Sequence, residues 1–125
     1  MTKVVAAILK KKNFFLISSR PKGKMFENYW EFPGGKVEKD ESLKQALCRE
    51  LKEELNIQTH KKDLLFLDSY EYSYSNQIIN LNFFLCFKWF GKIQPNDNQE
   101  LQWIVKKNII NFNILPSNNK VIRLI

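Results

Sequence analysis

Three glutamates, Glu50, Glu53 and Glu54, stand within five consecutive residues, downstream of the adjacent glycines Gly34 and Gly35. On a helical wheel advancing about 100° per residue, Leu43, Ala46, Leu47 and Leu51 share one side, and all three glutamates fall toward it. Lys44, Gln45, Cys48, Arg49 and Lys52 take the opposite arc. A solvated charge face would do the reverse. Like charges on one helical face repel by roughly 0.2–0.5 kcal/mol per exposed pair, and by more when desolvated. Two things could offset that repulsion: a structural salt-bridge network, or a hard divalent cation. Arg49 falls away from the centre of the cluster on this wheel. Mg²⁺ takes oxygen ligands and is held by a few carboxylates together with substrate phosphates, so a cation is the better match.

The elements that must position these residues follow from local signals. Val4–Leu9 and Phe14–Ser19 are short β-prone runs joined as a hairpin by "KKKN". "RPKGKMFENY" is a loop. "WEF" is a short strand stopped by Pro33, Gly34 and Gly35. A helix is predicted over Ser42–Leu55, with Ser42 and Gln45 as a capping box and Asn56 as a left-handed stop. "LLFLDSYEYSY" and "IINLNFFLCFKWF" read as two long strands joined by "SNQ", Glu100–Val105 as another strand, and "NNKVIRLI" as a short terminal helix. Strands around a central helix, with a second helix at the end, make an α+β layout. One domain over residues 1–125 is expected.

The spacing narrows the chemistry. Gly35, five residues, Glu41, seven residues, Arg49-Glu50-Leu51, one residue, Glu53-Glu54, one residue, Asn56-Ile57: this pattern resembles the Nudix box, and departs from it only where the family has glycine and this chain has Asn56. Asparagine is the mildest replacement for glycine in a left-handed cap. "EFPGGK", Arg20 and "LPSNNKVI" are similar to the MutT-like branch. The resemblance implies a mixed β-sheet sandwiched between helices. It implies metal ligands at Glu50, Glu53 and Glu54 and at the Gly34 carbonyl, with Mg²⁺ as cofactor and Mn²⁺ as substitute. It gives Arg49 and Glu41 a structural pairing. Catalysis is assigned to Glu53 and Glu54, with the general base in the box helix or in the loop "QPNDNQELQW". Counting back from Trp103, Asp97 stands where the branch carries a glutamate, and Glu100 lies nearby. Substrate contacts fall to Arg20 on a phosphate, Phe32 in the base pocket and Asn118 on the base, with Lys22, Lys24 and Lys36 as steering charge. The plainer alternatives are solvated lysines, a core phenylalanine at Phe32 and a helix cap at Asn118. Asn76 and Gln77 replace an acidic–basic pair of the branch.

The reaction so implied is hydrolysis of a nucleoside triphosphate, 8-oxo-dGTP first, to monophosphate and pyrophosphate. CTP, another modified nucleotide or a dinucleoside polyphosphate is the alternative. A non-catalytic nucleotide- or DNA-binding module is a third reading, and it has no need of the intact glutamate set. Composition is globular, with 44% hydrophobic and 26% charged residues. The net charge of +7 suits attraction of a polyanion, or a solvated lysine surface. No apolar run has membrane-spanning length, and lysines after the first apolar stretch are in the wrong order for a secretory signal. Two cysteines, Cys48 and Cys86, do not staple a fold, so a reducing cytoplasm is expected. A monomer is expected, a dimer being the alternative, with no stable nucleic-acid complex.

Overall fold

The computed structural model describes residues 1–125. It contains strands β1 (Thr2–Lys11), β2 (Phe14–Ser19), β3 (Trp30–Glu31) and β4 (Gly34–Lys36), then helix α1 (Leu43–Leu55). β5 (Leu65–Tyr74), β6 (Gln77–Cys86) and β7 (Leu101–Val105) follow, and a four-residue helix α2 (Asn119–Ile122) ends the order. Short 3₁₀ turns occupy Lys61–Asp63, Lys106–Asn111 and Pro116–Asn118. No helix is long and apolar enough to cross a membrane.

The strands form one mixed sheet ordered β3-β2-β1-β6-β5, with β4 added on β1 and β7 on β2. β1 and β6 are parallel, in register from Thr2↔Ile79 to Leu9↔Cys86, and the other pairings are antiparallel. β1 is buried on both faces, as a central strand must be. Val5, Ala7 and Leu9 enter one core with Leu47, Leu51 and Leu55 of α1. Ala6 and Ile8 enter the other with Phe15, Ile17, Phe32, Phe83 and Val121. A fully buried aliphatic side chain of this kind contributes about 1.5–3 kcal/mol. The sheet thus carries one long helix on one face, and the 3₁₀ turns Lys106–Asn111 and Pro116–Asn118 with α2 on the other.

Ser42 caps α1 as a reciprocal box: its hydroxyl accepts the Gln45 N–H at 3.1 Å, and the Gln45 side chain accepts the Ser42 N–H at 2.7 Å. Asn56 ends the helix in the left-handed region at φ 60°. Two expectations need correction. The glycine pair does more than follow the end of a strand: β3 ends at Glu31, ahead of Pro33, and Gly34 and Gly35 begin β4, because a side chain is excluded there. A Cβ on Gly34 would lie 1.9 Å from the Val5 carbonyl oxygen, so only glycine lets β4 approach β1. The strand expected to reach Phe90 ends at Cys86, and Phe90 instead makes an isolated bridge with Gln58. The short terminal helix is present as expected, as the single turn Asn119–Ile122.

Candidate active site

α1 presents Glu50 to β4. The Glu50 carboxylate lies so close to the Gly35 Cα that a Cβ there would meet it at 2.3–2.6 Å. Gly35 is therefore the position that admits Glu50. At the two ends of that strand, the Ala7 N–H donates to the Pro33 carbonyl at 2.8 Å and the Val37 N–H to the Lys3 carbonyl at 2.9 Å. Odd-numbered residues of this stretch thus face β1, and alternation turns the Gly34 carbonyl the other way.

The wheel is right for two of the three glutamates. Glu50 is largely buried, with its side chain 15% exposed. Glu54 is partly buried, and it feels the negative charge of Glu50. Glu53, at the edge of the arc, is more than half exposed. Arg49 corrects the wheel outright. Its Cα lies on the outer arc, but the long side chain reaches back. Nη1 donates to Glu50 at 2.8 Å and to Glu53 at 3.3 Å, and Nε and Nη2 grip Glu41 at 2.7 and 3.0 Å. Nη2 also donates to the Lys36 carbonyl at 2.9 Å, tying α1 to β4. The Arg49 hydrogen bond holds the Glu41 carboxyl down at about 2. So a salt-bridge network does exist, and it satisfies Glu41 and one side of Glu50.

Glu54 is left out of that network. Burial first, then the charges of Glu50, Glu31 and Asp97, push its carboxyl up to about 9. No three acidic side chains converge on one point. The donor set nevertheless fits a hard divalent cation: it is all oxygen, it sets a partly buried Glu54 against the Glu50 charge, and its Glu54 member is unsatisfied as an anion. Glu50, Glu54 and the outward Gly34 carbonyl could hold such an ion, with Glu53 within reach from the helix surface.

The loop after β6 is stitched to the end of α1. A helix leaves its last carbonyls without internal partners, and here the loop supplies them for three. Glu53 accepts from Asn96 Nδ2, Glu54 from the Asn96 N–H and Gln99 Nε2, and Leu55 from the Gln94 N–H, all at 2.9–3.2 Å. Gln99 Oε1 then accepts the Asp97 N–H at 2.8 Å. These bonds place Asp97 beside Glu54. Sequence reasoning missed Asn96 and Gln99; the run of amides after the last long strand was the signal.

Asp97 and Glu100 line a cleft of about 740 Å³ together with Arg20, Lys22, Lys24 and Trp30. Arg20 donates to Glu31 at 3.1 Å and to the Met25 carbonyl at 3.1 Å. Glu31, also missed, is raised by burial, and Arg20 opposes that rise. Lys36 stands apart on β4, exposed. Across the sheet, Phe32 is a core residue, its ring 5.8 Å from Phe15 and 6.4 Å from Phe83. What it offers Asn118 is its main-chain N–H, which donates to Asn118 Oδ1 at 3.0 Å. The Asn118 side chain makes no cap bond to α2, so the cap reading fails. Asn76 lies in the β5–β6 turn and Gln77 opens β6, both exposed.

Residues 4–124 match the NUDIX domain. The chain belongs to the Nudix family. It is 35% identical over 117 residues to a CTP pyrophosphohydrolase of Escherichia coli, covering 94% of this chain and 85% of that one. It is also 35% identical over 121 residues to an 8-oxo-dGTP diphosphatase of Buchnera aphidicola, covering 97% and 90%. The solution structure of the E. coli ORF135 protein superposes with a TM-score of 0.85 at 32% identity, covering 98% of this chain and 86% of that one. The chain is thus a Nudix hydrolase with the Nudix fold, and such hydrolases work with a divalent metal.

Proposed function

We propose that this Nudix hydrolase converts 8-oxo-dGTP to 8-oxo-dGMP and pyrophosphate, as a cytoplasmic monomer that clears oxidised nucleotides before replication. The observation that carries the substrate is Asn118. It is 4% exposed, uncommitted to a helix cap, and oriented by the Phe32 N–H. An amide can accept from a purine N7–H and donate to O6, and oxidation at C8 is what turns N7 from acceptor into donor. Free cysteines at Cys48 and Cys86 suit a reducing compartment. The cleft has the size of a small-ligand site rather than a nucleic-acid groove.

Glu50, Glu53, Glu54 and the Gly34 carbonyl would hold Mg²⁺, or Mn²⁺ in its place. The ion supplies charge neutralisation on phosphate oxygens and acidifies water. Arg20 donates to a phosphate from the cleft wall, and its pairing with Glu31 presets that direction. Lys22 and Lys24 draw the triphosphate in. Asp97, held beside Glu54 by Gln99, takes the proton of the attacking water.

CTP is the second reading, favoured by the 35% identity to the CTP pyrophosphohydrolase. Pyrophosphate release from 8-oxo-dGTP, dGTP, CTP and diadenosine polyphosphates, with and without Mg²⁺, tests both. We expect the highest kcat/KM with 8-oxo-dGTP. A maximum at CTP replaces the first reading with the second, and no release from any of them removes both.

A further inference from the structure

Behind Asn118 lies a set of polar contacts that the reaction chemistry does not use. Asn118 Nδ2 donates to Ser117 Oγ at 3.2 Å. Ser117 Oγ is hydrogen-bonded in turn to the Tyr74 hydroxyl, and the Tyr70 hydroxyl donates to the Ser117 carbonyl at 2.6 Å. Ser117 is 1% exposed. Tyrosines of β5 thus clasp the one turn that carries Asn118.

The donor and acceptor rules then fix the amide. The Phe32 main-chain N–H can only donate, so it faces Oδ1. Nδ2 can only donate, so Ser117 Oγ accepts, and the Tyr74 hydroxyl is the remaining partner of the serine. One lone pair on Oδ1 and one N–H on Nδ2 stay free. They form an acceptor beside a donor, complementary to a ring N–H next to a carbonyl. A purine whose position 7 carries a proton offers that edge beside its 6-carbonyl, whereas unoxidised guanine offers two acceptors. If the amide turned over, its N–H would face the ring N–H and its oxygen the carbonyl.

We infer that Ser117 and Tyr74 are positioning residues that hold the Asn118 amide in the single orientation matching an N7-protonated 6-oxopurine. This inference rests on the assignment of Asn118 to the nucleobase. Its test is therefore a binding measurement, independent of turnover. Calorimetric titration of 8-oxo-dGMP and dGMP into wild type, Asn118→Ala, Ser117→Ala and Tyr74→Phe, with Tm recorded for each, separates the two. Tyr74→Phe keeps the ring and removes only the oxygen, so it tests the relay with the least disturbance of packing. We expect wild type to prefer 8-oxo-dGMP and Asn118→Ala to lose the preference. Ser117→Ala and Tyr74→Phe should each cut it roughly three- to tenfold, the value of one hydrogen bond. If both weaken the two nucleotides equally, or leave the ratio unchanged while Asn118→Ala abolishes it, the relay is overturned and the Asn118 assignment stands. If wild type has no preference, or Asn118→Ala retains it, the assignment of Asn118 falls and the relay with it.

Discussion

Glu54 is a carboxyl placed among carboxylates, and its titration has a sign that can be measured. Its folded-state pKa, about 9, lies above the ordinary 4.5. The folded protein therefore keeps a proton that the unfolded chain has released. The stability this contributes is full below about 4.5 and is lost as pH rises toward about 9. In the presence of a chelator, the Tm should fall as pH rises across that window. Glu54→Gln should flatten the profile, because it removes the titration and keeps the shape. Added Mg²⁺ should raise the wild-type Tm at the alkaline end and leave the variant nearly unmoved. A wild-type profile that is level or rising there would contradict the placement. Activity of the variant should fall by orders of magnitude, in line with loss of several kcal/mol of charge stabilisation. Glu41 has the opposite sign. The Arg49 hydrogen bond holds its pKa at about 2, so its contribution is present above about 4.5 and is lost as pH falls toward 2.

At the level of elements, the junction between α1 and the 94–99 loop decides whether Asp97 can act. Gln99 is 7% exposed and bridges the Glu54 carbonyl to the Asp97 N–H. Gln99→Ala removes both bonds and should cost about 1 kcal/mol of stability per bond. It should also lower kcat, since the carboxylate is then held less well. Asp97→Asn should lower kcat on the order of 10²-fold with little change in Tm, as loss of a general base requires. Glu100→Gln is the control: it lines the same cleft, and a larger loss there would move the base to Glu100. This junction was not legible in the sequence, because its partners lie some forty residues apart and share no periodicity. α1 was legible from end to end, since capping box, apolar stripe and Asn56 are all local signals. Arg49 was misread because a wheel tracks Cα directions, and a long guanidinium ignores them. β4 was missed for a related reason. Gly-Gly is a breaker by propensity, but here it is the only pair that fits between β1 and Glu50.

At the scale of the whole molecule, a basic approach leads to an acidic set. The sheet divides the interior into two cores. α1 brings the acidic set to one side of the site, and the cleft places Arg20, Lys22 and Lys24 on the approach to it. With 20 basic against 13 acidic residues, the surface attracts a triphosphate from a distance, and the acidic set repels it unless a cation intervenes. Long-range attraction is screened over about 10 Å at 0.1 M salt, whereas direct contacts within the site are screened far less. Raising NaCl from about 0.02 to about 0.5 M should therefore lower kcat/KM several-fold and change kcat much less. The double change Lys22→Ala, Lys24→Ala should reduce the wild-type kcat/KM at low salt and flatten its salt dependence, with Tm unaltered because both side chains are exposed. Steady-state kinetics over that salt range, at fixed free Mg²⁺, provides the measurement. Parallel salt curves for wild type and the double variant would show that these two lysines are ordinary solvated charges, and would leave Arg20 as the cleft's only working cation.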